Sequence, residues 1–178
     1  IKAARRPRVA ILATGDELVD VAQRLTKGKI RSSNTYTLFS QVLKCCGIPK
    51  NLGIAKDNPR QLESKIKQGL GCDIILTSGG VSVGDYDLVK DVLAKMGTNI
   101  RFWKVAMRPG KPIAFGTIKG IPVFGLPGNP VSSMVSFEVF VRPAILKMLG
   151  QKYNDKKKEV EALVEEGIQK KAGLRYFL

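Results

Sequence analysis

Residues 73–87 read DIILTSGGVSVGDYD, and the reading of this stretch decides the fold. Asp73–Ser78 is a short apolar run of the kind that forms a buried strand, and it runs straight into Gly79-Gly80. A helix follows from about Asp87 to Met96, burying Leu88, Val89, Val92, Leu93 and Met96, and Gly97 ends it. The loop between them is about ten residues long, whereas strand-to-helix turns usually take roughly 2–6. It carries glycines at 79, 80 and 84, hydroxyls, and the acids Asp85 and Asp87. Glycines let backbone N–H groups converge on an oxyanion and let the chain approach a ligand closely. The loop is longer than a connection needs, and its chemistry is that of a binding site.

Working outward, the same alternation repeats. Arg8–Thr14 reads as a buried strand ending at Gly15, and Ser33–Cys46 has helical spacing at Leu38, Phe39, Val42, Leu43 and Cys46. Ser32 or Ser33 is the expected cap of that helix, and Gly47 its expected stop. Lys50–Ala55 reads as a strand, and Asn58-Pro59 opens a helix with the stripe Leu62, Ile66, Leu70. Ile100–Ala106 is a further strand. Ile113–Ile118 and Ile121–Phe124 form a hairpin about Lys119-Gly120, and Asn129-Pro130 opens a last helix reaching about Leu149, which Pro143 should kink. Strand and helix in alternation predict an α/β fold, a mostly parallel sheet in three α/β/α layers, over residues 1–150. Residues 151–178 change character. Glu159–Ile168 and Leu174–Leu178 alternate, and the segment is expected to be a linker and the truncated start of a C-terminal β-domain, a short β-rich tail.

Composition narrows the chemistry. The 178 residues include 30 Lys plus Arg, 15 Asp plus Glu and no His, so every Ser-His, Cys-His and His-zinc mechanism is excluded. Three cysteines, Cys45, Cys46 and Cys72, give no disulfide framework and fit a reducing, cytoplasmic setting. At helical spacing Cys45 and Cys46 are expected in the core. No apolar run approaches the roughly 20 residues of a bilayer span. The net charge of +15 is spread along the chain without interleaved aromatics, which fits a small anionic ligand better than nucleic acid.

In an open α/β sheet, ligands bind outside the carboxyl ends of the strands. The segments that follow the strands gather Thr14, Gly15, Asp16 and Glu17; Asp57; Ser78, Gly79, Gly80, Ser82, Gly84, Asp85 and Asp87; and Pro127, Gly128, Asn129 and Pro130. Taken singly, Asp16 is a turn residue, and Asp57, Asn58 or Asp87 a helix cap. Clustered carboxylates without His suit a hard cation such as Mg²⁺ bridging a phosphate. Arg108-Pro109-Gly110-Lys111 holds two cations about a stiff turn, suited to anion capture. Neither GxxxxGK[ST] nor a GxGxxG after the first strand is present, which excludes those two nucleotide sites.

At these residues the chain resembles a known family. Thr14-Gly15-Asp16-Glu17-Leu18, Gly28-Lys29-Ile30, Asn34, Asp57-Asn58-Pro59, Ser78-Gly79-Gly80-Val81-Ser82-Val83-Gly84, Asp87, Arg108-Pro109-Gly110-Lys111-Pro112 and Leu126-Pro127-Gly128-Asn129-Pro130 are similar to the MoeA/gephyrin-type molybdopterin molybdenumtransferases. The resemblance implies molybdenum cofactor biosynthesis: molybdate is inserted into adenylylated molybdopterin, with Mg²⁺ assistance and release of AMP. Glu17, Asp57 and Asp87 would be catalytic, with Asp57 and Asp87 also at the metal. Thr14, Gly15, Asp16, Ser78, Gly79, Gly80, Ser82, Gly84, Arg108, Lys111, Pro127, Gly128, Asn129 and Pro130 would bind substrate. It also implies a homo-oligomer, dimeric in the full-length family with a trimer open to the isolated domain, and contact with a molybdopterin adenylyltransferase. Two departures stand out: Ser32 replaces a common acid or amide, and the family's catalytic chain is considerably longer. An ATP-using MogA-like adenylyltransferase, although Val81-Ser82 favours the transferase, and a non-catalytic scaffold or nucleic-acid module are the alternatives.

Overall fold

The computed structural model describes residues 3–80, 88–151, 161, 163, 165–170 and 172–178. The first strand, β1 (Arg8–Thr14), is buried on both faces: Ala10 and Leu12 point into one core, Val9 and Ile11 into the other. That is why it reads as a continuous apolar run rather than an alternating one. Two two-residue strands, β2 (Leu18–Val19) and β3 (Ile30–Arg31), pair in parallel before α1 (Ser33–Lys44). Then come β4 (Ile48–Ala55), α2 (Pro59–Gly69), β5 (Ile74–Ser78), α3 (Leu88–Lys95) and β6 (Asn99–Lys104). They are followed by β7 (Met107–Arg108), β8 (Pro112–Ile118), β9 (Ile121–Leu126), α4 (Pro130–Ser136), α5 (Arg142–Met148) and β10 (Arg175–Tyr176).

The main sheet has the order β4-β1-β5-β9-β8-β6. The first four strands are mutually parallel, and β8 runs antiparallel to both β9 and β6, so β6 points the same way as the first four and the β8–β9 hairpin gives a parallel sheet an antiparallel margin. One face carries α2 and α3, whose Leu62, Ile66, Val89, Val92 and Leu93 pack on Ala10, Leu12 and Ile75. The other carries α1, α5 and the turn before it, through Leu38, Val42, Ile145, Phe137 and Val141. The three-layer α/β/α expectation holds.

Several local expectations are corrected. Gly47 is not the residue that reverses α1. Cys46 is, with φ of 60°, and Cys46 N–H and Gly47 N–H close onto Leu43 O and Val42 O. Gly47 follows because a Cβ there would meet Val42 Cγ1 at 2.8 Å. Cys46 is therefore exposed, against the expectation that it lies in the core, whereas Cys45 is buried as expected; Cys72 is buried too. Burial pushes the Cys45 thiol up, and Glu138 adds to the shift. Ser32 occupies the N-cap position, but its hydroxyl bonds Thr35 Oγ1 at 2.8 Å instead of capping α1. Pro143 acts through a π-helical turn, Phe137–Val141, spliced between α4 and α5. Arg142 N–H reaches back five residues to Phe137 O, which widens the turn just before the proline that cannot donate. The Lys119-Gly120 turn has φ of 50° and 79°, the left-handed pair that a two-residue hairpin demands. Of the expected first alternating segment, 159–160, 162 and 164 lie outside the described residues, and Glu161, Leu163 and residues 165–168 carry no strand. Leu174–Leu178 contributes β10, which lies parallel to β7.

Candidate functional site

The carboxyl ends of the parallel strands open into a cleft of about 350 Å³. Thr14, Gly15 and Glu17 after β1, Asp57 after β4, Ser78, Gly79 and Gly80 at the end of β5, and Gly128 and Pro130 after β9 all line it. Nine of the residues singled out from the sequence thus share one cavity. Their chemistry is carboxylate, hydroxyl and bare backbone.

The acidic side is held by a reciprocal pair. Asp16 N–H donates to Asp57 Oδ2 at 3.3 Å, and Asp57 N–H donates to Asp16 Oδ1 at 3.1 Å. Each carboxylate thus ties the other's loop, joining the turns after β1 and β4. Asn58, not Asp57, caps α2, accepting from the amides of Arg60 and Gln61. Asp57 is left to the cleft, which removes the helix-cap explanation for it. Lys29 and Lys56 Nζ both donate to Asp16 O, at 2.8 and 3.1 Å, and Lys56 also reaches Leu18 O at 3.0 Å. These ammonium groups staple the loop from outside.

The floor is backbone. Gly79 has φ of 90°, and a Cβ there would drive into Thr14 O and stand 3.1 Å from Thr14 Oγ1. Gly80, at φ of 66°, would collide with Val89 Cγ2 at 2.5 Å and Thr14 Oγ1 at 2.8 Å. No side chain fits at either position. Thr14 Oγ1 is buried and lacks a hydrogen-bond partner among the described residues.

Other candidates fall elsewhere. Asn129 caps α4 through Ser132 N–H at 3.1 Å, and Pro127 precedes the lining residue Gly128. Arg108 lines a different hollow of about 450 Å³, with Pro109, Lys170, Tyr176 and Phe177 of the tail; Lys111 lines neither. Ser82, Gly84, Asp85 and Asp87 lie outside the described residues. The structure also brings in Arg31, Ser32, Ser33 and Asn34, which the strand-end argument did not collect. The available signal was the start of α1. A helix antiparallel to its neighbouring strands begins at the same edge where those strands end.

A mostly parallel three-layer sheet with a glycine-floored, carboxylate-walled cleft at its strand ends defines a ligand-binding α/β domain. The fold is that of a molybdopterin biosynthesis MoeA protein from Pyrococcus horikoshii, with a TM-score of 0.76 and 34% identity over 83% of this chain and 36% of that chain. The molybdopterin biosynthesis enzyme MoaB from Thermus thermophilus shares the fold at a TM-score of 0.61 and 17% identity, over 83% of this chain and 99% of that chain. The family described as "Probable molybdopterin binding domain" matches residues 10–147, and the chain belongs to it. Among curated relatives, the molybdopterin molybdenumtransferase of Nostoc is 47% identical over 84% of this chain and 35% of its own length. That of Haemophilus influenzae is 42% identical over 97% of this chain and 43% of its own length. The chain therefore spans well under half the length of these relatives.

Proposed function

We propose that this chain is the molybdopterin-binding part of a molybdopterin molybdenumtransferase, which inserts molybdate into adenylylated molybdopterin and releases AMP. The observation that carries the reading is the convergence of Glu17, Asp57 and the bare Gly79–Gly80 backbone on one cleft. The similarity to the transferases of Nostoc and Haemophilus influenzae supports it. In this reading Glu17 and Asp57 orient the phosphate end of the substrate, and the glycine floor admits it to within hydrogen-bonding distance of the backbone. Residues 1–150 form the binding domain, and 151–178 form a linker with a short β element.

The donor set fits Mg²⁺. Among the described residues, no three His, Cys, Asp or Glu groups are placed to hold a metal by themselves. Mg²⁺ asks for less: one or two carboxylates, with water and substrate phosphate oxygens completing its shell. Asp57, together with Asp87 of the loop outside the described residues, would hold it. Bound there, it supplies charge neutralisation at the phosphoanhydride. The Asp16–Asp57 pair fixes the loop that carries the ligand carboxylate. Arg108 and Lys111 are assigned to the molybdate-facing side, in which case substrate must span from the cleft toward the second hollow. Among the described residues no helix is long and apolar enough to cross a membrane. A cytoplasmic homo-oligomer in contact with an adenylyltransferase completes the reading.

Calorimetric titration with AMP, with and without Mg²⁺ and at two salt concentrations, tests it. Saturable Mg²⁺-dependent binding is expected, and Asp57→Asn should weaken it about tenfold with little change in melting temperature. Binding indifferent to both Mg²⁺ and Asp57 would overturn the assignment. Consumption of ATP would shift it to an adenylyltransferase.

A further inference from the structure

We propose that Asn34 is a positioning residue that sets the width of the cleft, an inference that rests on the ligand reading above. Asn34 lies in the first turn of α1. Its Nδ2 donates to Ser78 Oγ at 2.9 Å and to Gly128 O at 2.8 Å. Ser78 ends β5, and Gly128 lies in the loop from β9 to α4. One amide therefore ties together three elements that are 44 and 94 residues apart in sequence.

Chemistry fixes which way this amide faces. The Gly128 carbonyl can only accept, so it must meet the NH₂ group; turning the amide over would set two oxygens against each other. Oδ1 is then left buried and, among the described residues, without a donor. A buried acceptor without a partner opposes folding. The unmet Oδ1 offsets part of what the two Nδ2 bonds contribute, and the work this side chain does is that of Nδ2.

The place it holds matters for a ligand. A Cβ on Gly128 would stand 3.6 Å from Gly79 Cα, so two strips of bare backbone nearly touch across the floor. Among the described residues Asn34 is the one side chain bonded to Gly128. Pro127 and Pro130 stiffen the loop on either side of it, so release would concentrate at Gly128 and Asn129. Asn34 acts through Gly128 and Ser78 rather than on reacting atoms.

The test pairs hydrogen exchange over residues 126–133 with Mg²⁺–AMP titration, in Asn34→Ala and Asn34→Asp. Asn34→Ala should raise exchange in that segment about tenfold and weaken AMP about tenfold, leaving exchange in β1 and β5 unchanged. Asn34→Asp supplies a readout that mere packing would not move. Ionised, its carboxylate faces Gly128 O and frees the loop. Protonated, its O–H donates to Gly128 O and restores the protection. Exchange normalised for intrinsic rate should therefore fall back toward wild type between about pH 7 and pH 4 in this variant alone. Unchanged exchange in Asn34→Ala, a freed loop with unchanged AMP affinity, or no pH response in Asn34→Asp would each overturn the proposal. If the wild-type protein fails to bind AMP, the functional reading falls, while the exchange measurements still decide whether Asn34 holds the loop.

Discussion

Gly79→Ala separates backbone strain from collision, because the fold contains a matched control. Gly79 and Gly97 both have positive φ, 90° and 76°. A Cβ at Gly97 would meet nothing within 4 Å, whereas at Gly79 it would penetrate the Thr14 carbonyl. At Gly97 the cost is that of an L-residue in a left-handed conformation, about 1 kcal/mol. At Gly79 the same strain is joined by overpacking against a backbone atom that cannot step aside. Thr14 ends β1, which is hydrogen-bonded between β4 and β5, and Gly79 N–H is itself bonded to Leu126 O at 3.1 Å. Overpacking adds about 1–3 kcal/mol, for a total of about 2–4 kcal/mol. For a chain of this size that is a loss of roughly 4–16 °C in melting temperature, against roughly 2–4 °C for Gly97→Ala. Gly80→Ala should likewise cost more than Gly97→Ala, since a Cβ there meets the buried, β-branched Val89 and Thr14 side chains. Thermal melts followed by circular dichroism measure all three. Equal losses at Gly79 and Gly97 would refute the claim that close approach, rather than φ alone, demands glycine at the cleft floor.

Two other perturbations probe the frame around the site. Cys46→Gly removes a left-handed non-glycine residue from the end of α1, and should stabilise by about 0.5–1 kcal/mol in a denaturant titration after the greater freedom of the unfolded glycine is deducted. A loss would show that the thiol makes a contact worth more than the strain. Asp73 is pushed up by burial, but the Arg5 guanidinium, with bonds at 3.1 and 2.6 Å, and the Arg8 amide at 2.6 Å outweigh that and hold its carboxyl below the ordinary value. A depressed carboxylate contributes stability that is present above its unfolded value and lost as pH falls through its folded value. Asp73→Asn should therefore cost about 1 kcal/mol at pH 7, through loss of the negative charge that strengthens the Arg8 amide bond and pairs with the largely exposed Arg5. The gap to wild type should narrow in paired melts as pH falls below the ordinary carboxylate value of about 4; a gap independent of pH would rule out the carboxylate as its source.

Much of the fold was legible because its signals are local and redundant. An apolar run such as Arg8–Thr14, an Asn-Pro helix start such as Asn58-Pro59 and a Lys-Gly hairpin turn each fix a backbone conformation regardless of what packs on them. What stayed hidden depends on partners. β2 and β3 are two residues each, too short to show any period, and exist because Ile30 N–H finds Glu17 O and Ser32 N–H finds Val19 O. The end of α1 was misread by one residue because glycine is the usual left-handed stop, and here Gly47 is needed one position later to clear Val42. At the site, the acidic and glycine-rich strand ends were legible from the rule that ligands bind there. Asn34 was marked only by the family resemblance, and its role was not legible, because it appears only when residues 78 and 128 are brought against it.

The +15 charge is best understood through its axis. α1, α2, α3 and α5 carry Lys44, Lys67, Lys95 and Lys147 in their last turns. Cations there offset the partial negative charge of the terminal carbonyls. α1, α2 and α3 run from the cleft edge toward the starts of the strands, and Met148 after Lys147 lines a hollow with Ala4 and Lys119 at that far edge. These lysines therefore sit opposite the acids Asp16, Glu17 and Asp57. Strands of six or seven residues at about 3.3 Å each separate the two edges by roughly 20 Å, more than twice the screening length of about 8 Å at physiological salt. The far lysines consequently add almost nothing to the potential in the cleft. An anion arriving there meets Arg31 in the wall, the stapling ammonium groups of Lys29 and Lys56 at the outside of the loop, and the carboxylates. Carboxylates repel it unless a cation comes with it. The same arrangement makes the net charge a poor guide to the partner, and under the proposed reading a divalent ion would accompany a phosphate bound at this edge.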